Sequence, residues 1–423
     1  MKTSRTKRGR HQGLPAAPLT VTVPADLSAQ LDTLEQDFFG LCVEVGQRAL
    51  HALMEADRTR QCGPKSHPDA AWGARRAGST ASPITLGGRR IVIRRLRSRT
   101  LGGRELTLPS FTWAAARDPL DRRTLEAITV GVATRRYPRS LESLPAGIRE
   151  RAVSKSAVSR RFVAGSAALL RRWLVRPLGA LELIAVLLDG IFFHERCVLI
   201  AVGIDLAGRK HVLGLHEGST ENASVAKALL GDLIERGLDP QRPLLFVIDG
   251  GKGLRRAIRE LWGARAAVQR CQVHKARNVR AHLPERLQRR IGAALQHAYD
   301  TPDAAQATAQ LERLAAELER PHPGAAASLR EGLEETLTLH RLGITGTLAR
   351  TLRSTNVIEN LNGSVATYVR HVKHWRDGAM VMRWVGAALH EASAHFRRIR
   401  GHADLPDLLT ALSALDKETS NAA

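Results

Sequence analysis

At 423 residues, 43% of them apolar, the chain is long enough for two or three domains with a sizeable core, and its longest apolar runs, broken by Asp, Arg, His or Gly, exclude a membrane span. A formal charge of +23 with a pI near 11.1 calls for a polyanionic partner, and nucleic acid is the default. Four scattered cysteines, Cys42, Cys62, Cys197 and Cys271, exclude a disulfide scaffold and point to a reducing compartment.

The charge is uneven. Residues 1–178 carry 32 Lys and Arg against 14 Asp and Glu, so +18 of the +23 lies there, and DNA capture is expected upstream of any chemistry. Residues 1–20 are basic, lack periodicity and have no apolar segment behind them, so they read as a disordered tail and not as a secretion leader. Within 21–118, the apolar positions Leu31, Leu34, Phe38, Leu41, Val45 and Leu50 predict one amphipathic helix or two short ones over about 27–58. Residues 84–108 then alternate around two Gly-Gly pairs that suit hairpin turns. Arg89, Arg90, Arg94, Arg95, Arg97 and Arg99 would line an exposed face, either tracking phosphates or keeping an edge strand soluble.

Residues 119–178 predict several short helices: 121–133, 140–148 and 154–176, the last capped by Ser154. Lys155, Ser156, Ser159, Arg160 and Arg161 on its first turns are the short polar and basic groups a recognition helix places in the major groove. A helix-turn-helix and an ordinary three-helix bundle both give this pattern.

From Leu181 the rhythm becomes strand-like. "LELIAVLLD", "CVLIAVGID" and "KHVLGLHEG" precede helix 222–237, strand "PLLFVID", helix "KGLRRAIRELWG" and strand "AAVQRC". Three meandering strands followed by helix, strand, helix and strand are the order of a ribonuclease-H-like mixed α/β sheet. The ends of its first and fourth strands are neighbours, which would bring Asp189 and Asp249 together. Both acids are expected to close their strands. Residues 275–350, rich in Ala, Leu, Glu, Gln and Arg, predict a helical insertion broken at "ERPHPGAA". It would divide a catalytic core of 179–274 and 351–412, leaving 413–423 as a frayed tail. Glu359 falls in a helix that Ser354 or Thr355 would cap.

Singly, each of these acids is commonly a turn or cap residue. Together, two strand-end Asp and a helical Glu form a set able to hold two Mg2+ or Mn2+ ions for phosphoryl transfer. The sequence contains no G-x-S-x-G, Walker A or H-E-x-x-H motif, and Lys252 in "IDGGKGL" suits contact with substrate phosphate.

"LLDGIFF", "VIDGGKGLRRAI", "VQRCQVHKARNV" and "RSTNVIENLNG" resemble the Mutator-like DDE transposases of bacterial insertion sequences over about residues 120–400. The resemblance implies catalysis by Asp189, Asp249 and Glu359 with divalent cations, and terminal-inverted-repeat binding by the N-terminal part. It also implies assembly as a dimer or larger species on DNA, in a cytoplasmic, nucleoid-associated setting. Cys271 and His274 match the family's C-x-x-H, two groups too few to close a tetrahedral zinc site. Lys275, Arg277 and Asn356 are further candidates to touch DNA. The alternatives are a ribonuclease-H-like nuclease or resolvase without strand transfer, and a non-catalytic DNA-binding repressor.

Overall fold

The computed structural model describes residues 31–421 apart from 68–69, 87–88, 117, 119–120, 142–149, 152 and 221. The basic tail 1–20, the first Gly-Gly pair and most of the helix expected over 140–148 therefore lie outside the described residues. Among those described, no helix is long and apolar enough to cross a membrane.

The chain divides into two compact units, residues 1–124 with 134–158, and residues 125–133 with 159–423. In the first, the helical periodicity gives a single helix, α1 (Leu31–Cys62). It packs on a hairpin of β1 (Ala74–Leu86) and β2 (Arg89–Thr100), with Val43, Leu50, Met54, Ile84, Ile91, Ile93 and Leu96 buried between them. The second Gly-Gly pair does turn the chain into β3 (Glu105–Leu106), with Gly103 at φ +86°. Asp57 accepts from the Ser110 amide at 2.7 Å and so caps α2 (Pro109–Ala116). β4 (Glu150–Arg151) pairs with β2.

The arginine face of β2 differs from expectation. β2 is not an edge strand, since it pairs with β1, β3 and β4. Arg89 is buried, Arg97 donates to Glu105 at 2.5 Å and Arg95 pairs with the same carboxylate, leaving Arg90 and Arg94 as the exposed members of the row. α3 (Asp121–Thr129) and α4 (Lys155–Leu174) each continue from one unit into the other, and β4 lies between them. Most of the helix expected between them, 140–148, lies outside the described residues. Ser154 caps α4 as expected, its Oγ accepting from the Ala157 amide at 3.2 Å.

In the second unit the apolar runs form β5 (Leu183–Phe193), β6 (Arg196–Asp205) and β7 (Lys210–Gly218) in antiparallel order. After α5 (Ala223–Glu235), β8 (Leu244–Ile248) returns parallel to β5, and after α6 (Lys252–Trp262), β9 (Ala266–Arg270) adds parallel to β8. The sheet order is β7-β6-β5-β8-β9, a five-stranded mixed sheet consistent with a ribonuclease-H-like core. Its two faces are covered separately. Val186, Leu188, Phe246 and Ile248 pack with α5 and α6, whereas Ala185, Leu187, Leu245 and Val247 share a core with the C-terminal helices.

α7 (Gln272–Ala281), α8 (Glu285–Asp300), α9 (Ala304–Glu319) and α10 (Pro323–Arg330) build the expected helical insertion around their own apolar core, with the break at 320–322. Two short helices, α11 (Leu333–Thr336) and α12 (Thr338–Arg341), lead to α13 (Gly346–Leu352). They cover the edge strand β9: Thr338 Oγ1 donates to the Val268 carbonyl at 2.6 Å, and Gln269 Oε1 accepts from the Leu339 amide at 3.0 Å. α14 (Asn356–Val369), α15 (Gly378–Ser393) and α16 (Leu405–Asn421) complete the unit. The last runs on to Asn421, through most of the 413–423 segment expected as a tail.

Candidate functional site

The parallel register of β5 and β8 pairs Ala185 with Leu245, Val186 with Phe246 and Leu187 with Val247, a constant offset of 60. Asp189 and Asp249 each lie two residues further on, so they are level with one another. Two-residue alternation also puts them on the face of Leu187 and Val247, the face that packs on α14 through Ile358, Leu361 and Val365. Glu359 stands on α14 beside those residues. Asp249 ends its strand, but Asp189 does not: β5 continues to Phe193, paired to β6 alone, with Asp189 opposite Ile200. The acid lies where β5 outruns β8, so the expected lip exists on one side only.

Asp189 senses the other two acids. Burial, then the Asp249 charge, then that of Glu359 push the Asp189 carboxyl up to about 6, against smaller opposing effects of His274 and the Gly190 amide. Asn362 Nδ2 donates to Asp189 Oδ2 at 2.8 Å. Asp249 Oδ1 accepts from the Gly251 amide at 2.8 Å in the turn that follows its strand.

Gly250 makes that turn possible. Its φ is +111°, and a Cβ there would stand 2.1 Å from Arg270 Nε. Arg270 cannot easily yield, because it is buried and donates to the Glu331 carbonyl at 2.8 Å and to the Glu331 carboxylate at 3.1 Å. Gly250→Ala is expected to cost at least about 2 kcal/mol and to lower the thermal midpoint, measured by circular dichroism, whereas an unchanged midpoint would remove this constraint from the turn.

At the N-terminus of α14, Thr355 Oγ1 donates to Glu359 Oε1 at 2.5 Å and lies 3.2 Å from His274 Nδ1. Of the two expected caps, Ser354 Oγ accepts from the Asn356 amide at 3.4 Å, whereas the Thr355 hydroxyl makes no cap and is turned towards these groups. Cys271 and His274 do come together with Glu359, their ligand atoms lying within 4.8 Å of one another. Burial pushes the Cys271 thiol up, but hydrogen bonds from His274 and Thr355 outweigh it and leave the thiol below its ordinary value. The Cys271 hydrogen bond, against burial and with help from nearby acids, raises His274.

The remaining candidates scatter. Lys252 opens α6 with its side chain 82% exposed, at 4.0 Å from Glu331. Lys155, Ser156, Arg160, Arg277 and Asn356 are exposed, and Ser159 and Arg161 are half-buried. Lys275 is a correction. It is fully buried, donating to the Ser328 and Glu331 carbonyls at the end of α10, and burial pushes its ammonium down to about 8. It ties α7 to the end of α10 within the insertion. Asn362 was missed, although residues 355, 359 and 362 follow the i, i+4, i+7 spacing of one helical face.

The family model described as "Transposase, Mutator family" matches residues 22–398. The transposase for insertion sequence element ISRM5 of Rhizobium meliloti is 31% identical over 287 residues, covering 67% of this chain and 70% of that protein. The transposase for IS1081 of Mycobacterium tuberculosis is 28% identical over 316 residues, covering 72% and 74%. The transposase for IS256 in transposon Tn4001 of Staphylococcus aureus is 28% identical over 275 residues, covering 63% and 68%.

Proposed function

The chain belongs to the Mutator family of transposases, DNA phosphoryl-transfer enzymes, and on that premise we propose that Asp189, Asp249 and Glu359 are the catalytic, cation-binding acids of an insertion-sequence transposase. It binds terminal inverted repeats, cuts DNA strands there and joins the 3′-hydroxyl ends to target DNA, acting as a dimer or larger assembly. The observation that supports this most is the level register of Asp189 and Asp249 on the face that α14 covers, where burial and then the charges of Asp249 and Glu359 lift Asp189 to about 6.

Such a cluster fits hard divalent cations. All its donors are carboxylate oxygens, and their mutual repulsion is relieved by positive charge. Two Mg2+ or Mn2+ ions, when bound, would neutralise phosphate charge and ease deprotonation of the attacking water or 3′-hydroxyl. Asp189 and Asp249 are held by a rigid sheet, and Asn362 keeps one Asp189 oxygen oriented. Lys252, exposed three residues beyond Asp249, is suited to a substrate phosphate. Phosphoryl transfer of this kind requires no protein nucleophile.

The test is a supercoiled plasmid carrying the DNA that flanks the gene as a miniature element. Nicking at the repeat ends and joining to new DNA, both dependent on Mg2+, are expected. Nicking without joining would indicate a nuclease or resolvase, and binding without metal-dependent nicking a repressor.

Capture of DNA by the basic N-terminal part is a separate expectation. Lys155 and Arg160 are exposed on the first turns of α4. Replacing both with Ala in the full chain is expected to weaken binding and to reduce the slope of log affinity against log salt by about 2. An unchanged slope would take α4 away from the phosphates.

A further inference from the structure

We propose that Thr355 is a positioning residue for Glu359: its hydroxyl accepts a hydrogen bond from His274 and gives its own proton to Oε1, so that Glu359 offers Oε2 to a cation. This role rests on the reading of Glu359 as a cation ligand.

A threonine hydroxyl has one proton. Glu359 Oε1 at 2.5 Å and Cys271 Sγ at 3.3 Å both face it, and the shorter contact to a charged oxygen claims it, so the 3.2 Å contact to His274 Nδ1 requires the imidazole to donate there. His274 Nδ1 stands 3.8 Å from Glu359 Oε1, too far for a direct hydrogen bond. Thr355 therefore bridges a gap that the imidazole cannot close, and the direction of the relay follows from the single proton and the stronger, nearer acceptor.

Cys271 fixes the frame of this relay. It precedes α7, and its sulfur accepts from the His274 amide and the Thr355 amide, each at 3.4 Å. One buried sulfur thereby pins the starts of α7 and α14, the helices that carry His274 and Glu359. Thr355 and Cys271 are both fully buried, whereas the Glu359 side chain is 33% exposed. The relay thus holds the inner oxygen of a carboxylate whose other oxygen remains free. The same proximity of Cys271, His274 and Glu359 would suit a soft cation, but the sulfur is engaged by two amides and Oε1 by the hydroxyl.

The test measures Mn2+ binding to the full-length protein in complex with DNA ending at the element's cut terminus, read from the free-ion electron paramagnetic resonance signal. Thr355→Val, which keeps the shape and removes the proton, is expected to weaken Mn2+ binding about tenfold, whereas Thr355→Ser stays within about twofold of wild type. An unchanged isotherm for Thr355→Val would overturn the relay. Should that variant lose its native circular dichroism spectrum, His274→Ala decides. Weakened Mn2+ binding with the native spectrum is expected there, and wild-type binding would overturn the proposal. One equivalent of zinc co-purifying with the wild type and lost in Cys271→Ser would also overturn it. Glu359→Gln separates this role from its premise: if it binds Mn2+ like wild type, Glu359 is no ligand, whatever Thr355 does.

Discussion

Asp189→Asn is expected to abolish strand cleavage and joining while making the metal-free protein more stable at neutral pH. The two effects share a cause. Asp189 is held at about 6 in the fold against an ordinary 3.8, because burial and the charges of Asp249 and Glu359 oppose its ionisation. An acid whose folded value is raised contributes its full stability below about pH 4, and loses it as the pH rises towards 6. At pH 7.5 its charge is a net cost of about 2–3 kcal/mol, which the neutral amide removes while still able to accept from Asn362. Thermal unfolding in EDTA at pH 7.5 should therefore favour the variant, and at pH 4 the gain should vanish. A gain of equal size at both pH values, or retained cleavage, would exclude Asp189 from an acidic cluster of this kind.

Glu359→Gln should eliminate cleavage and joining, whereas Glu334→Gln and Glu335→Gln should each retain substantial activity. Glu334 and Glu335 are rival acids upstream in the chain, and the fold gives Glu335 another task. Glu335 is buried and accepts from Arg255 at 3.2 Å and Arg259 at 3.1 Å, fastening α11 to α6. Its amide variant should lose stability, by about 1–3 kcal/mol, rather than chemistry. Glu359 instead contributes to the raised value of Asp189. Plasmid nicking by purified variants separates the two roles. A double variant at 334 and 335 that folds but does not cut, alongside a cutting Glu359→Gln, would reverse the assignment.

Much of the catalytic unit could be read from its residues because short apolar runs bounded by turn residues mark each strand. The offset between "LLD" and "VID" then equals the offset of the paired strands, so the meeting of Asp189 and Asp249 follows from strand order. What escaped the sequence depends on distant partners. The extension of β5 beyond Asp189 rests on pairing with β6 alone, in a segment where Asp-Gly suggests a turn. Burial of Lys275 depends on carbonyls 53 and 56 residues away, which no local pattern announces. Likewise, the arginines of β2 read as a uniform charged face until Glu105 arrives on β3 to pair with two of them. The turn of Thr355 away from its own helix needs Cys271 and His274 beside it.

The central claim is that one cation cluster is made by Asp189, Asp249 and Glu359. Replacing Mg2+ with Fe2+ and adding ascorbate and peroxide generates hydroxyl radicals at the metal, which cut the nearby protein backbone. Three cuts are predicted, around residues 189, 249 and 359, all weakened together in Asp189→Asn and suppressed by excess Mg2+. Cuts clustered around 334 and 335, or around 189 without 249 and 359, would contradict the claim.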